Sequence, residues 1–272
     1  MNPHPDIVRD FERVAPELLR RAAAFQPAIL ADVAGRRGAM HGRIEALRHR
    51  MKLVGNALTV EVRPGDNLMI HAAIALAQPG DVLVIDGKGD RSAALMGTIM
   101  MNACRQVGIA GVVIDGAVRD SVEIDEMDFP VFSVGTNPNG PTKLASGRIG
   151  HPVSVGGVAV RAGDLVIGDA DGVVVVEREK VDTLLRAAQK KVEDEAARIE
   201  AIRQGHTTAS WLDAALRKAG VLGEGETLVS AARCRTTHEE RARRPFPHSL
   251  PSCGRCSRTG LAPWPIRGQL GA

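Results

Sequence analysis

The sequence predicts an α/β domain built in layers, with one sheet partly covered by helices. Short runs of branched apolar residues, "VLVID" (82–86) and "VVID" (112–115), are bounded by Gly-Asp turns and read as buried strands. An apolar stretch of helical length lies between them, which gives the strand–helix–strand alternation of a layered domain. Beyond residue 147 the chain turns β-rich, with "PVSVGGVAV" (152–160), "GDLVIGDADG" (163–172) and "VVVVE" (173–177) separated by Gly-containing turns.

Taken in order, residues 5–25 have helical spacing (Ile7, Val8, Phe11, Val14, Leu18, Leu19), and "AILADVAGRRG" (28–38) ends in a Gly-bounded basic turn. "MKLVGNALTVEVRPGDN" (51–67) gives strand pieces broken at Pro-Gly-Asp, and residues 68–81 a short helix stopped by Pro-Gly. "GKGDRS" (87–92) reads as a turn and residues 93–108 as a helix, apolar almost all round and so packed on several sides. "FPVFSVG" (129–135) is the next strand, and a Gly/Pro/Asn-rich loop follows to residue 147. Residues 179–204 form a charged amphipathic helix whose apolar stripe is Val181, Leu184, Leu185, Ala188, Val192 and Ile199. After about residue 222 periodicity is lost and prolines crowd in, so the chain divides into a domain (1–222) and a disordered tail (223–272).

The pI of 8.8 is a misleading guide to partners. Residues 231–272 carry eight Arg, no Lys and two Glu, a net +6, which leaves residues 1–230 at −3. With 3% aromatics and no Tyr there are few platforms on which bases could stack, so no nucleic-acid partner is expected of the body. No apolar run reaches the roughly 18 residues of a membrane span, and the N-terminus lacks the apolar core of a signal peptide; a cytoplasmic protein is expected. Cys104 reads as a reduced core thiol. Cys234, His238, Cys253 and Cys256 have zinc-ligand character, but the tail offers no fold to hold them.

Neither G-x-G-x-x-G nor G-x-x-x-x-G-K-[ST] occurs, which leaves nucleotide binding unsupported, and no serine sits in G-x-S-x-G. "GDADG" (168–172) mimics part of a calcium loop, yet position 12 counted from Asp169 is Lys180, so a turn between strands is the better reading. Lys52, Lys88 and Lys143 are possible Schiff-base formers, none marked by an apolar setting. The chemistry concentrates instead in "GVVIDGAVRD" (111–120), a buried strand followed by Arg119 and Asp120. A guanidinium suits an organic carboxylate, and a lone carboxylate suits Mg²⁺ that keeps most of its waters. The residues alone are also compatible with a surface ion pair or a turn.

"GRRGAM" (35–40), "PGDNLMIHAAIALAQPGDVLVID" (64–86), "ALMG" (94–97), "GIAGVVIDGAVRD" (108–120), "FPVFSVG" (129–135) and "GDADGVVVV" (168–176) together resemble the 4-hydroxy-4-methyl-2-oxoglutarate aldolase / RraA-like (regulator of ribonuclease activity A) family, over roughly residues 20–215. The resemblance implies a β/β/α swivelling-domain-like fold and trimers, often paired into hexamers, with sites between subunits. It implies a carbon–carbon lyase that cleaves 4-hydroxy-4-methyl-2-oxoglutarate or decarboxylates oxaloacetate with Mg²⁺ or Mn²⁺, not through a Schiff base. Carried over, Arg119 grips the keto and carboxylate groups of a pyruvyl unit, and Asp120 binds the metal. The N–H groups of Ile99 and Met100, beside Gly97, hold the carboxylate. Thr98 follows the glycine of L-x-G, where aldolase members tend to carry an acid for proton transfer. A hydroxyl cannot act as that base near neutral pH, which shifts the expected chemistry toward decarboxylation. Glu195, or its rival Glu193, would reach a neighbouring subunit's site. The family's other branch implies a non-catalytic protein that binds and inhibits a ribonuclease.

Overall fold

The computed structural model describes residues 6–228 of the chain, which divides into two compact units, one through Gly205 and one from His206. The first carries α1 (Pro16–Ala22), α2 (Pro27–Val33), β1 (Glu45–Ala46), β2 (Leu53–Glu61), α3 (Leu68–Leu76), β3 (Asp81–Met96), α4 (Thr98–Val107), β4 (Gly111–Val118) and α5 (Ser121–Glu126). It continues with β5 (Val131–Thr136), β6 (Arg148–Ile149), β7 (Val153–Val155), β8 (Val158–Val160), β9 (Leu165–Asp169), β10 (Gly172–Val176) and α6 (Val181–Arg203). The described part of the second unit holds α7 (Leu212–Lys218).

The main sheet runs β1-β5-β4-β3-β2-β9-β10, with β6 paired to β2. Its centre, β2 to β5, is parallel, and β9, β10, β1 and β6 join antiparallel. Parallel neighbours need crossovers, and α3, α4 and α5 supply them. Because side chains alternate along a strand, each central strand feeds two cores. Leu83, Ile85, Val112 and Ile114 pack with Ile70, Met101, Cys104 and Ile124 from those three helices. Val82, Val84 and Val113 point the other way, onto Val153, Val155 and Val160 of the β7–β8 hairpin and Val166, Val173 and Val175 of β9 and β10. The opposite faces of β9 and β10 (Leu165, Ile167, Val174, Val176) take a third core from α1, α2 and the first half of α6. The result is a layered β/β/α arrangement with helices flanking the sheet, the fold class read from the sequence.

Three elements differ from the sequence reading. Residues 87–92, read as a turn, run on inside β3, with Lys88 and Gly89 at positive φ (61° and 72°) where the pairing with β4 shifts between Ile85 and Asp90. Residues 93–96 are not the start of a helix but the end of β3: Ala94 and Met96 pair with Ala117 and Val118 of β4 after register shifts around residues 86–94. A short apolar run suits a buried strand and a buried helix equally, and Gly97 decides where the strand stops. At the N-terminus only Pro16–Ala22 is helical in the stretch read as one helix. The apolar spacing of residues 7–14 serves tertiary contacts instead: Ile7 bridges Ile149, and the Val14 N–H donates to Asn56 Oδ1 at 2.8 Å. Arg13 forks onto Asp81, 2.8 and 2.9 Å from its two carboxylate oxygens, with its guanidinium 4.1 Å from the centre of the Phe11 ring. The helix read at 179–204 is present as α6. "GDADG" closes the β9–β10 hairpin, with Asp171 N–H donating to Asp169 Oδ1 at 3.0 Å. The tail's Cys234, His238, Cys253 and Cys256 lie outside the described residues.

Candidate functional site

Ligands of parallel sheets gather at the carboxyl ends of the strands, where helix N-termini point. Here β3 and β4 end side by side, Met96 opposite Val118, and the Arg119 N–H donates to the Met96 carbonyl at 3.0 Å. A single residue, Gly97, separates β3 from α4, and two, Arg119 and Asp120, separate β4 from α5. Asp120, the hinge into α5, takes the left-handed conformation (φ 59°, ψ 44°), which Asp tolerates better than most side chains. That turn swings its carboxylate back toward α4, where Oδ2 accepts the Thr98 N–H at 3.0 Å and lies 3.8 Å from Arg119 Nε.

Gly97 makes this convergence possible. Its backbone is extended, so the demand is for space: a Cβ there would collide with Asp120 Oδ2 and stand 2.9 Å from Arg119 Cγ. The first N–H groups of a helix have no carbonyl one turn back. Asp120 uses that of Thr98, which leaves those of Ile99 and Met100 for an outside acceptor. The ends of β3 and β4 open onto a cleft of about 130 Å³ lined by Gly97, Ile99, Met100, Arg119, Asp120 and Lys143, with Asn67 and His71 at its side. This is well below the ~300 Å³ at which sites for drug-sized ligands begin, so the cleft suits a small organic acid.

The fold therefore brings together Gly97, Thr98, Ile99, Met100, Arg119 and Asp120. Among the described residues the Thr98 hydroxyl is buried without a partner, and Asp120 is the only carboxylate lining the cleft. Glu195 is not among the lining residues. It pairs with Lys191 at 3.0 Å, which also holds Asp32 at 3.0 Å, while Glu193 accepts from Gln189 at 2.8 Å. Lys88 is engaged by Asp86 (2.6 Å) and Glu61 (3.0 Å); the Asp86 hydrogen bond above all raises its pKa, the reverse of what a Schiff-base amine needs. Cys104 is fully buried, and burial pushes its thiol up to about 12, an inert core group. Asn67, His71 and the cleft position of Lys143 escape sequence reasoning; the Pro-Gly-Asp-Asn turn and the Gly/Pro/Asn-rich loop were the available signals. Among the described residues no three His, Cys, Asp or Glu side chains cluster as a metal cage. The donor set fits a hydrated divalent ion held by one protein carboxylate, Asp120.

Comparison with known proteins places this geometry. A family model described as Aldolase/RraA (RraA-like) matches residues 22–175. A candidate 4-hydroxy-4-methyl-2-oxoglutarate aldolase of Halalkalibacterium halodurans is 43% identical over 159 residues, 58% of this chain and 76% of that protein. The crystal structure of Streptomyces coelicolor RraAS2, titled an unusual member of the RNase ES inhibitor RraA family, superposes with a TM-score of 0.63. Its identity is 29%, over 70% of this chain and 99% of that one. The RNA-processing inhibitor RraA from Thermus thermophilus gives 0.52 at 27% identity, covering 56% and 92%. With more than half of its length matched, and with the strand ends and helix start of the cleft inside that match, the chain belongs to the Aldolase/RraA family.

Proposed function

We propose that the protein is a divalent-metal-dependent lyase acting on a pyruvate-derived 2-oxo acid, by decarboxylation of oxaloacetate, retro-aldol cleavage of 4-hydroxy-4-methyl-2-oxoglutarate, or both. The observation that carries the reading is the convergence of Arg119, Asp120 and the start of α4 on one small cleft. The Ile99 and Met100 N–H groups hold the substrate carboxylate, aided by the helix dipole. Arg119 donates to the keto oxygen, where negative charge grows as the bond between C3 and C4 breaks. Mg²⁺ or Mn²⁺, when held by Asp120, supplies Lewis-acid stabilisation of that same charge. In decarboxylation the electron pair stays on C3 as CO₂ leaves, and no base is required. Retro-aldol cleavage needs a base for the C4 hydroxyl proton; with Thr98 where an acid is expected, decarboxylation is the stronger activity.

A neighbouring copy completes the site in this reading. Ile99, Val122 and Leu144 are exposed apolar residues at or near the cleft, and Val192, Ile199 and Ile202 extend the stripe of α6 beyond its buried half. A trimer or hexamer would cover such surface, and Glu195 is the residue of α6 offered to a partner's cleft. The name of the H. halodurans relative supports a lyase.

The test is pyruvate release from both substrates, with Mg²⁺ and with EDTA. Arg119→Ala is expected to lose about 100-fold or more in kcat, the usual cost of one oxyanion donor. Metal-independent turnover, or an Arg119→Ala variant as active as wild type, overturns the reading. A second reading, a non-catalytic ribonuclease inhibitor, is favoured by the neutral Thr98 and by the likeness to two solved structures of RraA proteins, one from the RNase ES inhibitor family and one an RNA-processing inhibitor. Capture of a ribonuclease E homologue at micromolar protein, without pyruvate release, would establish it.

A further inference from the structure

The basic turn "GRRG" (35–38) contributes nothing to the cleft, yet the chain accepts strain to build it. Arg36 takes the left-handed conformation (φ 63°) between Gly35 (φ 73°) and Gly38 (φ 82°). A residue with a Cβ adopts that conformation at a cost, and keeps it only where its surroundings fix it. Both ends of the turn are fixed. On one side the Arg36 N–H donates to the Ala31 carbonyl at 2.8 Å and closes α2. On the other, residues 38–40 lie along β10, with the Val175 N–H donating to the Gly38 carbonyl at 2.8 Å and the Met40 N–H to the Val173 carbonyl at 2.9 Å. Gly38 approaches so closely that a Cβ there would stand 2.1 Å from the Val175 carbonyl oxygen. Arg37 is thereby held between α2 and β10.

That position puts Arg37 on a second cavity, of about 270 Å³ against about 130 Å³ for the cleft, and the two share no lining residue. Val33 of α2, Val158 of β8, Val175 of β10 and Leu184 of α6 make its walls. Val33, Val158 and Leu184 are only half-buried, so apolar surface is left for a ligand to cover. The walls are braced by the buried Asp164 carboxylate, which accepts the Arg161 N–H at 2.9 Å and the Arg178 N–H at 3.2 Å and so ties the turn before β9 to the turn after β10. The charges of the lining are mostly spent on one another or on near neighbours. Lys180 pairs with Glu177 at 2.7 Å, and Asp164 lies 3.7 Å from the Arg161 guanidinium. Among the described residues Arg37 is the one lining charge without a carboxylate partner. Apolar walls with one orienting polar group are the make-up of a small-molecule site, and a guanidinium fork matches a carboxylate. A bare inorganic anion would leave the walls wet, and a neutral hydrocarbon would leave the guanidinium unused.

We propose that this cavity is a ligand site separate from the cleft and takes a small amphipathic monocarboxylate, its hydrocarbon body on the valine and leucine walls and its carboxylate on Arg37. The proposal stands independently of the lyase reading. The probes are octanoate, the shorter acid butyrate, and octan-1-ol, which keeps the hydrocarbon body and lacks the charge, each titrated calorimetrically into the full chain. Octanoate is expected to bind saturably, more tightly than octan-1-ol and about 10-fold or more tightly than butyrate, the effect of the extra buried methylenes. Arg37→Met should weaken octanoate about 10-fold, the scale of a hydrogen bond to a charged group, and leave octan-1-ol unchanged. Val158→Phe, which fills the cavity from a half-buried position, should weaken octanoate and octan-1-ol together; Ala159→Phe, at an exposed lining position, serves if Val158→Phe fails to fold. Arg119→Ala should leave octanoate affinity within about 2-fold, as for well-separated sites. Unsaturable uptake of octanoate, or an affinity indifferent to Arg37→Met or to a folded cavity-filling variant, overturns the proposal. So does loss of octanoate binding in Arg119→Ala, which would put the acid in the cleft.

Discussion

At the scale of single residues, the site depends on an atom that is missing. Gly97 leaves room for the Asp120 carboxylate to fold back onto the start of α4 and for Arg119 to lie beside it. Gly97→Ala is therefore expected to displace both groups, cutting pyruvate release about 10- to 100-fold, since small misplacements of positioning groups cost that much. Its melting temperature should move little, because the clash falls on partly exposed side chains; enzyme assay and thermal unfolding on the same sample check both halves. Asp66, buried two residues before α3, accepts the Thr142 hydroxyl at 2.6 Å and the N–H groups of Leu144 and Ala145 at 2.7 and 3.1 Å, and it gives a pH signature. Burial acts to raise its pKa, but these donors and the Leu68 N–H outweigh it. Its folded pKa, about 2, lies below the ordinary 3.8, so its hold on the 142–145 loop is fully present above about pH 4 and is lost as pH falls toward 2. Hydrogen exchange at Leu144 and Ala145, corrected for the intrinsic pH dependence of exchange, should show constant protection from pH 8 to about 4 and a decline below.

At the scale of elements, α6 has two halves with opposite demands. Val181, Leu185 and Ala188 are buried in the third core, whereas Val192, Ile199 and Ile202 are exposed on the single chain. Leu185→Ala should destabilise the fold by about 2–4 kcal/mol in denaturant unfolding, the range for a buried leucine. Ile199→Glu should leave chain stability near wild type and shift the assembly toward monomer in sedimentation; an unchanged distribution removes Ile199 from any interface. Both halves of α6 were legible in its stripe, because helical periodicity survives whether a partner covers it or not. The central strands were legible for a related reason: buried on two faces, they read as unbroken apolar runs. Residues 93–96 were not, since "AALM" carries no period that separates strand from helix, and only pairing with β4 settles it. Nor were residues 7–14, whose helical spacing is produced by three separate tertiary contacts.

At the scale of the molecule, Arg119 and Asp120 could be located from sequence because they follow a strand directly. Asn67, His71 and Lys143 reach the same cleft from the turn before α3, from α3 and from the loop after β5, and such a meeting is a property of topology that no local pattern encodes. The same lesson applies to where the folding unit begins. The family model matches from residue 22, but Arg13 forks onto Asp81, a fully buried carboxylate at the start of β3, and Val14 pairs with the buried Asn56. The matched span and the stabilising contacts thus have different borders. A protein shortened to begin at Pro16 would keep every residue that the family model matches and yet strand a negative charge in its interior. It should unfold about 3–5 kcal/mol more easily in urea, the cost of breaking a buried pair from one side, and restoring residues 6–15 should return the difference. The irregular leader, silent in any comparison of cleft residues, is the counter-ion of the sheet.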